Sequence, residues 1–350
     1  MKTFLLSTAA IALLLVAVLG LAVAFGGPAD PAPMASINQP FKNVDFSDLP
    51  PASGFVARDG SRLAFRFYPA TGAESKGSVV LVHGSSASGR SMHVLAKAMA
   101  AAGHATYALD IRGHGDSGPK GHIACVGQLE DDLEDFIQSA KPAQPATLVG
   151  FSAGGGFALR FAGSTRQRLF ANYLLLSPFI SQDAPTYRPN SGGWASVGLP
   201  RYVAIALMNG VGVHAFDALP VIRFALDATA RALLTPSYSF ALAQNFRPDR
   251  DYRANLRAVV QPISVLAGQD DEAFHADRFD AVFKAEEKNV PVTLIPGIGH
   301  IPLTLDAAAV QAAVAAVRRL NLKTAVDRFP PLGPPHECTL FCPRQPSPHG

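Results

Sequence analysis

Short apolar runs recur along the middle of the chain, and glycine, proline or polar residues mark where each run ends. Runs this short predict buried strands, whereas the amphipathic segments between them predict helices. Strands that alternate with helices form a mainly parallel sheet with helices on both faces. The predicted strands lie near residues 79–83, 105–110, 146–151, 171–177, 262–267 and 291–295, after a β-hairpin of residues 55–58 and 63–68.

The interval from about residue 181 to residue 260 breaks this alternation and is rich in large apolar side chains. A long insertion between two strands of a parallel sheet predicts a separate helical cap at one edge of that sheet. Within the cap, the segment 219–226 is predicted to be helical after Pro220, because proline is well tolerated in the first turn of a helix.

The pentapeptide Gly-x-Ser-x-Gly at residues 150–154 follows the apolar run 146–149, and a helix-like segment begins directly after it. A strand that reverses into a helix within one residue forces the central side chain into a strained conformation above the sheet. Gly150 and Gly154 lack a β-carbon and let the strand and the helix approach closely. The pattern therefore predicts a nucleophile elbow with Ser152 at its tip.

A second strand-like run, Ser78–Val82, leads directly into a loop that begins at His83. Backbone N–H groups on such a loop can stabilise the negative charge that develops on a carbonyl oxygen during acyl transfer. The predicted donors of this oxyanion hole are the N–H groups of Ser85 and Ala153, and Gly84 lets the backbone come near. We interpret His83 as a structural residue that orients the loop.

A serine hydroxyl is a weak nucleophile until an imidazole accepts its proton, so Ser152 requires a histidine base. His300 fits this role because it follows a strand-like run and a glycine-containing turn. The imidazole in turn requires a carboxylate, and three adjacent acidic residues follow the strand-like run 262–268. Spacing favours Asp271 over Asp270, and Glu272 is the third alternative.

The order serine, acid, histidine is that of the α/β-hydrolase superfamily, which the sequence resembles from about Phe55 to Leu322. The segment Ala108–Gly118 is similar to a strand and loop of the monoacylglycerol lipase and lysophospholipase branch, which is serine aminopeptidase-like. In that branch the residues matching Asp110, Arg112 and His114 hold the loop together and are not catalytic.

The resemblance implies a serine hydrolase that cleaves carboxylic esters through an acyl-enzyme, on lipid-like substrates such as monoacylglycerols or lysophospholipids. It implies no metal and no organic cofactor. Two or three cap aromatics are expected to line an acyl-binding pocket. The cap has eight arginines and five aspartates, so a binding site for an anionic head group is an open alternative. The alternatives are an aminopeptidase of the proline iminopeptidase type and a non-catalytic binding protein on the same scaffold.

The segment 4–25 is almost continuously apolar, and Lys2 is the charged side chain before it. A segment of this length spans a bilayer, whereas Ala22-Val23-Ala24 offers a signal-peptidase site. Residues 1–26 are therefore either a membrane anchor, which predicts membrane association, or a signal peptide. Both alternatives predict an extracytoplasmic hydrolase domain, because the positively charged end stays inside.

The chain has 350 residues, of which 48% are hydrophobic and 16% charged, which agrees with one large globular domain. Its net charge of +3 is too small to suggest a nucleic-acid partner. We place the hydrolase domain at residues 53–324, after a linker rich in proline and alanine at 27–52 and before a proline-rich tail at 325–350. In an oxidising compartment, Cys338 and Cys342 of the tail can pair in a short disulfide.

Overall fold

The computed structural model describes residues 2–72 and 75–328 of the chain. Among these residues, the main sheet has eight strands and is mainly parallel. The strands of the fold are β1 (Ala52–Val56), β2 (Arg62–Tyr68), β3 (Ser78–Val82), β4 (Ala105–Leu109), β5 (Ala146–Phe151), β6 (Asn172–Leu176), β7 (Ala195–Val197), β8 (Pro220–Phe224), β9 (Ser237–Ser239), β10 (Ile263–Gly268) and β11 (Val292–Ile295).

The large sheet has the order β1-β2-β4-β3-β5-β6-β10-β11. Strand β2 runs antiparallel to its two neighbours, β1 and β4, and the remaining neighbours pair in parallel. The predicted strands of the parallel part agree with the structure to within one residue at each end. The predicted hairpin and the mainly parallel sheet are thus confirmed.

Helices cover both faces of this sheet. Every residue of β3, β5 and β6 is buried, and because side chains alternate between the two faces of a strand, both faces must be covered. The helices are α1 (Lys2–Phe25), α2 (Ala35–Asn38), α3 (His93–Ala101), α4 (Gln128–Ala140), α5 (Ala153–Ala162), α6 (Leu199–Asn209), α7 (Ala228–Leu233), α8 (Phe240–Asn245), α9 (Tyr252–Ala258), α10 (Phe279–Lys284) and α11 (Ala307–Arg328). Helices α3 and α11 pack against each other and the sheet, while α5 packs on β5 and β6 and contacts α9.

The cap lies between β6 and β10, as predicted, but it is not purely helical. It combines α6 to α9 with a three-stranded antiparallel sheet in the order β7-β8-β9. The prediction of a helix after Pro220 is wrong, because this segment forms β8. Its β-branched and aromatic side chains suit a strand, and Val221 and Phe224 are buried in the cap. Proline is tolerated at the first residue of a strand.

The segment predicted as a linker, residues 27–52, crosses from the cap to the main body and makes specific contacts. At one end, Asp30 forms an ion pair with Arg223 of β8, with 2.8 Å between nitrogen and oxygen. At the other end, the Asp48 carboxylate lies 3.0 Å from Nε2 of His93 at the start of α3. A short 3-10 turn at Pro40–Asn43 follows α2 between these contacts.

At the N-terminus, α1 contains a 19-residue span, Ser7–Phe25, with a mean hydropathy of 2.7. This apolar helix is long enough to cross a membrane. At the other end of the chain, α11 continues to Arg328, into the first residues of the segment predicted as a proline-rich tail. The rest of the tail, with Cys338 and Cys342, lies outside the described residues.

Candidate active site

The turn between β5 and α5 places Ser152 in a strained conformation, with φ 55° and ψ −119°. A β-carbon on Gly150 would lie 2.2 Å from the carbonyl oxygen of Gly154. A β-carbon on Gly154 would lie 2.3 Å from the carbonyl oxygen of His83. Side chains cannot fit at these separations, so only glycine permits the close approach of strand and helix on which the turn depends.

The structure brings Ser152, His300 and Asp271 together in one hydrogen-bonded chain. The Asp271 carboxylate lies 2.8 Å from Nδ1 of His300, and Nε2 of His300 lies 3.0 Å from the hydroxyl oxygen of Ser152. The carboxylate accepts the Nδ1 proton, which leaves Nε2 free to accept the proton of the serine hydroxyl. All three side chains are buried, Ser152 beside the cap and Asp271 beneath His300.

The structure distinguishes the three adjacent acidic residues. Oδ1 of Asp271 accepts hydrogen bonds from the backbone N–H groups of Ala273 and Phe274, at 2.8 and 2.9 Å. Asp270 is exposed, whereas Asp271 is buried beside His300. Glu272 has a role that the sequence did not indicate, because its Oε2 accepts the backbone N–H of His300 at 2.9 Å.

The environment of Asp271 favours its ionised form. Burial alone would raise its pKa, but the charge and the hydrogen bond of His300, helped by the backbone N–H of Phe274, hold the pKa of the carboxyl below its usual range. An ionised Asp271 fixes the tautomer of His300 and stabilises an imidazolium beside it.

The predicted oxyanion donors lie at the same site. Ser85 and Ala153 both line the cleft that contains Ser152 and His300. Within the described part of the chain, the backbone N–H groups of these two residues have no hydrogen-bond acceptor. Gly84 lies against the elbow, since a β-carbon there would be 3.2 Å from that of Ser152.

His83 is buried beneath this loop and fully engaged. Its Nε2 accepts the backbone N–H of Ile111 at 3.2 Å, so the proton is on Nδ1, which donates to the carbonyl of Gly84 at 2.8 Å. Burial lowers the pKa of His83 to about 4. The imidazole is therefore neutral and ties the loop to the neighbouring segment, without contact to Ser152.

The loop after β3 is also held from the cap, a relationship that the sequence did not reveal. Ser86 has φ 68°, in the left-handed region, and its backbone N–H donates to the hydroxyl of Tyr238 at 2.6 Å. The Tyr238 hydroxyl donates in turn to Nε2 of His114 at 2.7 Å. Nδ1 of His114 lies 3.2 Å from the carbonyl oxygen of Ile111 and therefore carries the proton of the ring. Nε2 is then an acceptor, so the Tyr238 hydroxyl must be the donor.

Asp110 and Arg112 of the segment 108–118 make structural contacts of the kind that the resemblance implied. The Asp110 carboxylate accepts the backbone N–H groups of Gly89 and Asp116, at 2.7 and 2.9 Å. Arg112 forms a buried ion pair with Asp132 at 2.6 Å. None of these side chains contacts Ser152. In residues 2–72 and 75–328 there is also no cluster of three or more side chains able to hold a metal ion.

Two cavities meet at Ser152. The outer pocket, of about 570 Å³, lies between the loop after β3 and the N-terminal segment, which contributes Ile37, Phe41 and Phe46. The cap cleft, of about 190 Å³, extends from Ser152 beneath the cap. Six of the cap aromatics line the cap cleft, which is mostly apolar: Tyr187, Trp194, Tyr202, Phe224, Tyr238 and Phe246.

The mainly parallel sheet, the inserted cap and the elbow with its serine, histidine and aspartate define an α/β-hydrolase. The chain belongs to the family described as "Serine aminopeptidase, S33", which matches residues 73–304, more than half of its length. The expected superfamily and branch are thereby confirmed.

Individual relatives agree with this family. The chain is 35% identical over 92 residues to a monoacylglycerol lipase of Mycolicibacterium smegmatis, covering 25% of this chain and 33% of that enzyme. It is 35% identical over 99 residues to the uncharacterized protein YnbC of Escherichia coli, covering 28% of this chain and 17% of that protein. The chain thus spans about a third or less of the curated relatives it matches.

Among solved structures, a soluble variant of monoglyceride lipase from Saccharomyces cerevisiae superposes with a TM-score of 0.61 at 18% identity, over 81% of this chain and 99% of that one. A monoacylglycerol lipase from Paleococcus ferrophilus gives a TM-score of 0.55 at 19% identity, over 75% and 99%. At these identities the likeness establishes the fold alone.

Proposed function

We propose that this chain is a serine hydrolase that cleaves carboxylic esters, with Ser152, His300 and Asp271 as its catalytic residues. The observation that carries the proposal is the continuous hydrogen-bonded chain from Asp271 to the hydroxyl of Ser152, which ends where two cavities meet. The strained elbow exposes that hydroxyl to both cavities, as a nucleophile requires.

In the first half of the reaction, the hydroxyl oxygen of Ser152 attacks the ester carbonyl while Nε2 of His300 takes its proton. The carbonyl electron pair moves to the oxygen, where the N–H groups of Ser85 and Ala153 can stabilise the charge, each by about 3 kcal/mol. The imidazolium of His300, held by Asp271, then protonates the leaving alcohol as the carbon–oxygen bond breaks.

In the second half, a water molecule gives a proton to His300 and attacks the acyl-enzyme. The carbonyl electron pair again moves to the oxyanion site, and its return expels the oxygen of Ser152, which recovers the proton from His300. The carboxylic acid leaves, and the enzyme is restored without any group beyond the chain's own side chains and water.

We further propose that the ester is lipid-like, with a monoacylglycerol or a lysophospholipid as the substrate class. The aromatic lining of the cap cleft supports an acyl pocket, because long apolar chains gain binding free energy from buried apolar area. The relatives named monoacylglycerol or monoglyceride lipase support the same class.

We also propose that α1 is a retained membrane anchor and that the hydrolase domain lies outside the cytoplasm. Exposed apolar side chains form a stripe along α6 at helical spacing, with Leu199 62%, Val203 45% and Leu207 57% exposed. This stripe adjoins the apolar α1, and α1 packs on α6. Both helices expose apolar side chains, and Leu199 of α6 also lines the cap cleft, which supports delivery of a lipid from a bilayer to that cleft.

The aminopeptidase alternative needs a carboxylate to hold a free amino terminus. Of the described residues that line the cap cleft, Arg247 is the fixed charge and none is acidic. The described lining of the cap cleft therefore offers no acidic partner to a positively charged amino terminus, whereas the outer pocket includes Asp116 and Asp227.

The proposed function is tested with 4-nitrophenyl esters of increasing acyl length, on the wild type and on Ser152→Ala. We expect the highest rate at long acyl chains and its loss in the variant. Labelling by a fluorophosphonate, which reacts with an activated serine, is expected in the wild type alone. Retained turnover in Ser152→Ala contradicts the proposal, and absence of both labelling and turnover in the wild type favours a binding protein.

A further inference from the structure

Arg247 follows α8 and lines the cap cleft together with Ser152 and His300. It is 9% exposed, which is unusual for an arginine. The side chain lies over the ring of Phe179, with its guanidinium carbon 5.4 Å from the ring centroid. A charge is therefore buried in an otherwise apolar cleft, next to the proposed nucleophile.

The guanidinium of Arg247 makes no hydrogen bond and no ion pair with any residue that the structure describes, and its buried Nε has no partner. Arg112, which is equally buried, provides the contrast. Its nitrogens contact the carboxylates of Asp132 at 2.6 Å and Asp59 at 2.9 Å. Buried arginines are almost always paired in this way, so Arg247 lacks a partner that its environment demands.

The charged groups around Arg247 do not supply that partner. The carboxylates of Asp183 and Asp249 act on it only from a distance, and the positive Arg160 opposes them. Asp249 is bound to Arg160 at 2.5 Å, and Asp183 accepts from Gln182 at 3.2 Å. Burial lowers the pKa of Arg247, yet a guanidinium remains protonated at neutral pH.

We propose that Arg247 is the binding group for an oxyanion, a carboxylate or a phosphate, carried by the ester substrate into the cap cleft. The inference rests on the proposed function, because it names a group of the substrate that Ser152 attacks. A guanidinium binds these groups through two parallel hydrogen bonds, and the low dielectric of the cleft strengthens them. The carboxylate would come from a dicarboxylic half-ester whose acyl chain lies in the cap cleft. The phosphate would come from a lysophospholipid whose head group lies in the cap cleft and whose acyl chain lies in the outer pocket.

Two pairs of substrates separate these sources. The carboxylate pair is monoethyl suberate and ethyl octanoate, and their hydrolysis is measured by the release of protons. The phosphate pair is 1-oleoyl lysophosphatidate against 1-oleoylglycerol, followed by release of oleate. We expect the wild type to prefer the anionic member of at least one pair by about tenfold or more in kcat/KM. Preference for the neutral member of both pairs, or no preference, overturns the proposal.

The matched variants are Arg247→Gln, Arg247→Lys and Arg250→Gln, the last removing an exposed arginine nearby. Arg247→Gln is expected to lose the preference by about tenfold, through the anionic member of the pair alone. Arg247→Lys keeps part of the preference, because the charge remains without the planar fork. Arg250→Gln is expected to keep all of it, and an equal effect of Arg250→Gln overturns the assignment to Arg247.

Thermal unfolding without substrate separates binding from a structural role. An unpaired buried charge destabilises the folded state, so Arg247→Met is expected to melt at a higher temperature than the wild type. A lower melting temperature, with equal losses on neutral and anionic esters, assigns Arg247 to packing and overturns the proposal. Failure of the proposed function has a different signature, since it leaves neutral-ester hydrolysis in Ser152→Ala.

Discussion

The hydroxyl oxygen of Tyr238 lies 2.6 Å from the backbone nitrogen of Ser86, so a strand of the cap holds the loop that carries the proposed oxyanion donor Ser85. Ser86 adopts a left-handed conformation, which is costly for a residue with a side chain. A second bond, from its hydroxyl to the carbonyl of Thr235 at 2.6 Å, also comes from the cap. The cap therefore shapes the loop of the proposed oxyanion site as well as covering it.

We predict that Tyr238→Phe lowers kcat by about tenfold and changes KM little. The variant leaves the Ser86 N–H buried without an acceptor, at a cost of about 1–3 kcal/mol, which releases the loop from its strained position. Displacement of the loop should weaken the stabilisation of the transition state more than it weakens substrate binding. The measurement is steady-state hydrolysis of a neutral ester.

Tyr202→Phe is the matched control for this prediction. Tyr202 also lines the cap cleft, but its hydroxyl donates to Gln244 at 2.6 Å and not to the loop after β3. We expect its kcat to stay at the wild-type value. Equal losses of kcat in the two variants would show that removing either tyrosine hydroxyl from the cleft has the same effect. That result would contradict a specific role of Tyr238 in holding Ser86.

We predict that Asp271→Asn lowers kcat by about 10³–10⁴-fold with the fold intact, because the amide neither fixes the tautomer of His300 nor stabilises its positive form. Asp270→Asn removes a charge from the exposed neighbour and should leave the rate unchanged. The two variants are compared by kcat and by far-ultraviolet circular dichroism. A larger loss in Asp270→Asn reverses the assignment of the acid.

Much of the fold could be predicted because its strands are continuous apolar runs that end at turn residues. The segment Ala146–Phe151 is an example, since it is buried on both faces and every residue except Thr147 is apolar. Ser152 could be predicted for a local reason as well, because the glycines of its turn are required within a few residues of it.

The features that could not be predicted depend on partners far away in the chain. The segment Pro220–Phe224 suits either a helix or a strand, and its pairing with β7 and β9 decides for the strand. Tyr238 contacts a loop 152 positions earlier, so no local pattern marks it. Arg247 is one of eight cap arginines, and it is distinguished by a buried, unpartnered side chain in the cap cleft, which only the folded structure reveals.

We predict that acid weakens the fold partly through His83. Its folded-state pKa of about 4 lies below the ordinary 6.5, so the unfolded chain binds the proton more readily. The stability that depends on the neutral imidazole is present above 6.5 and is lost as the pH falls toward about 4. The free energy of unfolding should fall by about 1.4 kcal/mol per pH unit in this window through one such group.

Urea unfolding at several pH values between these limits measures that slope. His83→Gln is expected to be less stable at neutral pH, because hydrogen bonds are lost, but to show a shallower dependence on pH. His122→Gln, at an exposed histidine, should keep the wild-type dependence. Parallel curves for His83→Gln and the wild type would contradict the prediction, whatever their absolute stabilities.

Arg201 connects the cap to the apolar helix at the N-terminus. Its guanidinium donates to the carbonyls of Val23 at 2.7 Å and Ala24 at 3.0 Å, at the end of α1 where carbonyls lack partners within the helix. A third bond reaches the carbonyl of Pro220 at 3.0 Å, so one side chain fixes α1 to strand β8. A cation at this position also opposes the negative end of the helix dipole.

We predict that Arg201→Gln frees the junction after α1, so that limited proteolysis of the full chain between residues 26 and 33 speeds up by about tenfold. The reason is that these bonds close the junction, and losing them lowers the free energy of local opening. Arg253→Gln, which removes an exposed arginine beside Glu286 at 3.4 Å, is the control and should cleave at the wild-type rate. If Arg201→Gln is cleaved at the wild-type rate, the bonds of Arg201 do not hold the junction between α1 and the cap closed.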